Sequence, residues 1–231
     1  MKLLSIESSA KAASVALTEN GRLISQFFQA SALTHSRTLL KMAEDMLSDL
    51  EMKVSDVDCV AVSIGPGSFT GIRIGVAAAK GLCWGGDKPC IGVSTLEAMA
   101  HQLRDRKDAV IAAAMDARRG EIYNACFLPL GDGIERLTED RAIPVSKLMD
   151  EAKESGKTYY FVGDGAELCY NAFTESGLPA LLAPEPLRLQ TAWGVAMAAE
   201  GRAPENAADL EPRYLRLSQA ERERLQKEAS N

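Results

Sequence analysis

The chain has 231 residues, of which 46% are apolar and 25% charged, and its formal net charge is −6. That is enough material for one large packed unit or two small ones. An acidic surface attracts neither phosphate backbones nor anionic membranes over a distance, so nucleic acid is expected to reach this chain only through a basic partner.

Residues 2–7 and 13–18 read as strands, and Asn20-Gly21 is a two-residue hairpin turn into a third strand at 22–28. From about 33 to 50 the period changes, and Leu39, Leu40, Ala43, Leu47 and Leu50 share one helical face. A short apolar strand at 58–64 leads into a glycine-rich loop, 65–71. A helix over 71–84 follows, with Ile72, Gly75, Val76, Ala79, Leu82 and Cys83 at helical spacing. Ile91-Gly92-Val93 is another strand. Ser94 and Glu97 form a capping box, each able to satisfy the other's free amide, and open a helix to about Arg104.

The second half partly repeats this order. Strands are expected at 109–115, 121–128 and 134–140, with a turn at 131–133, a helix at 146–154, a strand at 158–162 and a helix near 166–175. Residues 178–188, rich in Pro and Leu, read as a linker, and a helix covers about 191–200. Residues 203–213 carry Pro204 and Pro212 and should be irregular. The tail at 218–228 has almost no apolar face and reads as a solvated helix or frayed end.

The order β-β-β-α-β-α thus occurs twice, which predicts two mixed sheets with helices on their faces. Two such units in tandem give two lobes and a cleft. The first is placed at 1–105 and the second at 106–217, its last helix able to pack back on the first; a polar tail fills 218–231. This α/β layout resembles the two-lobed actin-like ATPase fold of the Hsp70 and sugar-kinase superfamily, an RNase H-like fold with duplicated mixed sheets.

The five cysteines, Cys59, Cys83, Cys90, Cys126 and Cys169, are odd in number, scattered, and without a C-x-x-C pair. Buried thiols in a reducing compartment fit better than disulfides or a zinc site. The first residues turn acidic at Glu7, too soon for a signal-peptide core, and no apolar run approaches a membrane span. A cytoplasmic location and no membrane partner are expected.

Three segments are candidates for chemistry. Glu7-Ser8-Ser9 lies between two hairpin strands, where an acid can hold a metal-bound water and hydroxyls can bind phosphate; the plainer alternative is a polar turn. Gly65-Pro66-Gly67-Ser68-Phe69-Thr70-Gly71 joins a strand to a helix, the right context for anion binding, but it matches neither the P-loop nor G-x-G-x-x-G. A tight connection that lets the helix pack closely explains it equally well. Asp116-Ala117-Arg118-Arg119-Gly120-Glu121 is the second-lobe counterpart of the Glu7 turn. Its arginines can grip phosphate, pair with Glu121 or Asp116, or contact a protein. The only histidines, His35 and His101, form no H-x-x-x-H or H-E-x-x-H pattern, and there is no G-x-S-x-G elbow.

Ile6-Glu7-Ser8-Ser9 with Ser14-Val15-Ala16-Leu17, the whole glycine loop through Gly75, Gly92-Val93-Ser94-Thr95-Leu96, the 116–123 turn and Pro212-Arg213-Tyr214-Leu215-Arg216 together resemble the TsaB (YeaZ) family of bacterial tRNA threonylcarbamoyladenosine biosynthesis proteins. The resemblance runs nearly the whole chain. It implies a non-catalytic subunit that binds and activates TsaD, which transfers a threonylcarbamoyl group to the adenosine beside the anticodon of tRNAs reading ANN codons. It also implies the small ATPase TsaE as a further partner, self-association into a homodimer, and tRNA contact only through the complex.

On this reading no residue is catalytic, no metal is bound and no cofactor is required, with ATP or ADP only at a partner interface. Nucleotide candidates are Glu7, Ser8, Ser9, Gly65, Gly67, Thr70 and Arg118. Docking candidates are Arg37 and Lys41 on the first helix and Ile72, Gly75, Val76 and Ala79 on the second. Arg at position 76 or 79 is expected to abolish docking and leave the lobe folded. An autonomous ATPase using Glu7 and the glycine loop is the rival of another class, and a metallopeptidase is a second.

Overall fold

The computed structural model describes residues 1–31 and 33–216. Strands β1 (Lys2–Glu7), β2 (Ala13–Glu19) and β3 (Arg22–Gln29) form an antiparallel meander. Helix α1 (His35–Asp49), strand β4 (Cys59–Gly65), helix α2 (Phe69–Gly86), strand β5 (Cys90–Ser94) and helix α3 (Thr95–His101) complete the first lobe. Its sheet runs β3-β2-β1-β4-β5, with β4 parallel to both β1 and β5.

The second lobe contains β6 (Val110–Asp116), β7 (Glu121–Pro129), β8 (Ile134–Arg136), β9 (Arg141–Pro144), α4 (Val145–Ser155), β10 (Tyr159–Val162), α5 (Ala166–Glu175), β11 (Ala180–Leu182) and the short α6 (Glu185–Arg188). Its sheet runs β11-β10-β6-β7-β8, with β9 also beside β7. Helix α7 (Ala192–Ala199) is the last helix among the described residues.

Burial explains this layering. Leu4, Ile6, Val15 and Val62 on one face of the first sheet meet Leu39 and Met46 of α1 and Ile72, Val76 and Ala79 of α2. Leu3, Ala61, Ile91 and Val93 on the other face meet Ala98 of α3 and Val195, Ala196 and Ala199 of α7. The opposite side of α3, through Leu96 and Met99, meets Ile111, Ala113 and Met115 of the second sheet. The outer face of that sheet is closed by Leu148 and Ala152 of α4 and Cys169 and Phe173 of α5. Helix α3 is therefore the filling between the two sheets, with α7 beside it on the first.

The last helix, α7, does pack back on the first lobe: it is apolar on every side and buried against β1 and α3, and 205–216 follow it across that lobe. Several other expectations change here. The strand expected at 134–140 breaks into β8 and β9, because the Thr138 hydroxyl takes the Cys126 amide at 2.9 Å and ends the ladder. The expected linker at 178–188 holds β11, which pairs parallel with β10, and α6. Leu40 is 51% exposed rather than on the buried stripe of α1.

The capping box is only half formed. Ser94 accepts the Glu97 amide at 3.3 Å, but the Glu97 carboxylate turns away to Arg136, at 2.8 Å, and to Arg202. Arg136 also grips Asp140 at 2.7 Å, and the Ser94 hydroxyl donates to Asp140 at 2.6 Å. These groups rivet α3 to the second lobe. The two arginines hold the Glu97 carboxyl below its ordinary value against the opposing effect of burial. The tail at 218–231 lies outside the described residues.

Candidate functional site

The turn between β1 and β2 sits on the glycine loop. The Ser9 carbonyl accepts the Ser68 amide at 2.7 Å, and the Ser8 hydroxyl donates to the Gly71 carbonyl at 2.9 Å. A Cβ at Gly67 would overlap the Ser9 carbonyl, and one at Gly75 would overlap the Ser8 hydroxyl. Close approach of two backbones is thus what those glycines provide. Ser68 caps α2 by accepting the Gly71 amide at 3.2 Å. The Ser68 and Gly71 amides are spent within the chain.

Glu7 is completely buried under this turn. Its Oε1 accepts the Ser9 amide at 2.6 Å, and among the described residues Oε2 has no partner. Burial raises the Glu7 carboxyl above its ordinary value, tempered by Ser9, by the nearby Ser63 and by His35. His35 Nε2 lies 2.6 Å from the Ala10 carbonyl, which only accepts, so Nε2 carries the proton.

Between the lobes opens a cleft of about 440 Å³, lined by Ser9, Ala10, Lys11, Gly67, Ser68, Phe69, Met115, Asp116, Ala117, Arg118, Tyr123 and Asp164. Of the nucleotide candidates, Ser9, Gly67 and Arg118 meet here. Glu7 and Ser8 lie buried beneath the turn, and Gly65 faces the Arg213 carbonyl. Thr70 lines a separate, mainly apolar groove of about 640 Å³ with Lys11, Leu33, His35 and Ile74.

Asp116, from the third candidate segment, lines the cleft with Lys11 and Asp164, neither of which was singled out from sequence as a site residue. Asp164 follows β10 in a Gly-Asp-Gly turn, the strand-end position that could have drawn attention to it. Burial raises its carboxyl, the Gln190 amide at 2.9 Å offsets part of this, and the charge of Asp116 adds to the rise. In the 116–121 turn Asp116 accepts the Arg118 amide at 2.7 Å. Arg118, Arg119 and Gly120 all have left-handed backbone, with φ of 66°, 58° and 76°. Two cations facing two carboxylates can receive an anionic group together with a hydrated cation.

No three His, Cys, Asp or Glu side chains come together to hold a metal among the described residues. All five thiols are buried. Burial pushes Cys83 up to about 12 and Cys59 up to about 11.

The docking candidates divide. Arg37 and Lys41 are exposed on α1, Lys41 pairing with Asp45 and, at 3.7 Å, with Glu44. Ile72, Gly75, Val76 and Ala79 face their own sheet. Their spacing marks a core face, so Arg at 76 or 79 would break the lobe instead of sparing it. The outward face of α2 carries Arg73, Ala77, Gly81 and Trp84, the last 76% exposed.

Two mixed sheets around a shared central layer, with a cleft bounded by the turns after β1 and β6, define the actin-like class. A sequence profile described as TsaD, tRNA N6-adenosine threonylcarbamoyltransferase, matches residues 29–224. The tRNA threonylcarbamoyladenosine biosynthesis protein TsaB of Escherichia coli K12 is 35% identical over 181 residues, 77% of this chain and 78% of that protein. TsaB of Bacillus subtilis 168 is 28% identical over 228 residues, 96% of each chain. YeaZ from Pseudomonas aeruginosa superposes with a TM-score of 0.77 at 27% identity, covering 93% of this chain and 99% of that one. The chain belongs to the TsaD family, in its TsaB (YeaZ) branch.

Proposed function

We propose that the chain is a non-catalytic subunit of tRNA threonylcarbamoyladenosine biosynthesis in the cytoplasm. It binds and activates the threonylcarbamoyltransferase TsaD, which modifies tRNAs reading ANN codons, and TsaE joins the assembly. The observation that carries this reading is the outward face of α2. An exposed Trp84 stands one turn from Gly81, which has open space around its Cα, with Ala77 a turn before. A large apolar anchor beside small residues suits close helix-on-helix docking. Leu40, Arg37 and Lys41 are also exposed, on the neighbouring helix α1. A second copy of the chain can use the same face, giving a homodimer that competes with TsaD.

A second reading rests on the cleft. Lys11, Arg118, Asp116 and Asp164 converge there, as a nucleotide with a hydrated cation would require. We place ATP or ADP there only when a partner completes the wall, because the Ser68 and Gly71 amides are committed to Ser9 and Ser68. The experiment is to purify the chain alone, measure ATP hydrolysis and bound metal, and then add TsaD. Stoichiometric complex formation with no turnover by the chain alone supports the subunit reading. Robust hydrolysis without TsaD supports an autonomous ATPase, and stoichiometric zinc or iron supports a metalloenzyme.

A further inference from the structure

Residues 205–216 run back over the first lobe and end on the second. Glu205 and Cys90 exchange backbone hydrogen bonds of 2.8 and 3.0 Å at the sheet edge, Leu210 is buried in the core, and the Arg213 amide donates to the Ile64 carbonyl at 2.7 Å. Tyr214 then stacks on Phe69 with ring centroids 4.6 Å apart. Arg73 lies over Phe69 at 3.8 Å, and its Nε donates to the Tyr214 hydroxyl at 2.9 Å. Two residues later the chain crosses the cleft. Arg216 donates to the Ala117 carbonyl at 3.2 Å and ion-pairs with Glu121.

Ala117 and Glu121 are the two ends of the turn that holds Arg118 and Arg119 in left-handed backbone. Such residues cost about 1–3 kcal/mol each and persist only where their surroundings over-determine them. Within the turn, Asp116 fixes the Arg118 amide, and the Ala117 amide donates to the Glu121 carbonyl at 3.0 Å. Arg216 supplies a restraint that comes from the other end of the chain.

We infer that residues 213–216 are an interlobe clasp: anchored on Phe69 and Arg73, they use Arg216 to hold the strained 116–121 turn, and with it Arg118, at the wall of the cleft. The clasp lies nearer the surface than the Glu97 rivet. Tyr214 is 37% exposed, and the side chains of the clasp pair, Arg216 and Glu121, are 20% and 35% exposed, against 25%, 18% and 6% for Arg136, Glu97 and Asp140 of the rivet. Any contact that competes for Arg216 or Glu121 frees the turn without unfolding either lobe.

The test is hydrogen–deuterium exchange on the full chain, comparing wild type with Arg216→Ala and Glu121→Gln. The clasp requires at least tenfold faster exchange of the Ala117 and Glu121 amides in Arg216→Ala, with β1 and β6 amides within twofold of wild type. Glu121→Gln, which keeps the Arg216–Ala117 bond, should give a smaller rise at the same amides, and it decides the matter if Arg216→Ala does not fold. Exchange at the turn within twofold of wild type overturns the inference. So does a uniform rise across both lobes, which would make Arg216 an ordinary contributor to global stability.

Discussion

Replacing Trp84 with Ala separates docking from folding. The side chain is 76% exposed, so it contributes little to the free chain's core. A buried tryptophan removes up to roughly 250 Å² from water, and three-quarters of that is about 190 Å². At about 25 cal/mol per Å² the burial gain at an interface is at most ~5 kcal/mol. Side-chain ordering and imperfect fit reduce it, so a loss of about 2–4 kcal/mol is expected, or roughly 30- to 700-fold in affinity for TsaD. Isothermal titration of TsaD with each protein reads the affinity, and thermal melting of the chain alone should show a midpoint within about 2 °C of wild type. Affinity within threefold of wild type would refute the assignment of this face.

Further expectations follow from the buried groups. Val76→Arg places a cation against Val62 and Ile72 and should leave the chain insoluble or lower its stability by more than ~4 kcal/mol, read by circular dichroism. Glu97→Gln should cost about 3 kcal/mol at pH 7, measured by urea unfolding. The folded-state value for Glu97 lies below the unfolded one, so its stabilisation is complete above the ordinary value of 4.5 and disappears as pH falls through the folded value; the gap between wild type and variant should close in acid. Glu7 shifts the other way. Its burden on stability is absent below 4.5 and grows as pH rises to its folded value, so Glu7→Gln should be more stabilising at pH 7 than in acid, read by urea unfolding at the two pH values. With Cys83 near 12 and Cys59 near 11, a thiol reagent at pH 8 should label the native chain far more slowly than the urea-unfolded chain.

The fold was readable wherever one periodicity dominates. Alternation in β1 and β2, the Asn20-Gly21 turn and the 3.6-residue spacing in α2 each describe local structure that tertiary contacts left unchanged. Periodicity also misled. Ile72, Gly75, Val76 and Ala79 recur at helical spacing because they face their own sheet, so the pattern that marks a helix also marks the side a partner does not see. The exposed face shows itself by breaking that pattern, with Trp84 on the solvent side. Glu97 matches a local capping motif, yet its carboxylate is claimed by Arg136 and Arg202, residues 39 and 105 positions away. The glycine loop looked equally like a phosphate cradle and a close-packing device. Only the position of the Ser8 and Ser9 backbone tells which, and that depends on pairing across the sheet. The cleft was expected from the two tandem units, but the part that Lys11 and Asp164 play in its lining escaped, since they meet Asp116 only when two lobes are assembled.

The central claim is that this chain assists chemistry performed elsewhere. Reconstitution tests it: purified TsaD, TsaE, threonylcarbamoyl donor and an unmodified tRNA reading an ANN codon, with and without this chain, followed by mass spectrometry of the digested tRNA. The expected result is modification that requires TsaD, rises at least tenfold when the chain is added, and falls back with Trp84→Ala. Modification by the chain in the absence of TsaD, or full activity of TsaD without the chain, would contradict it.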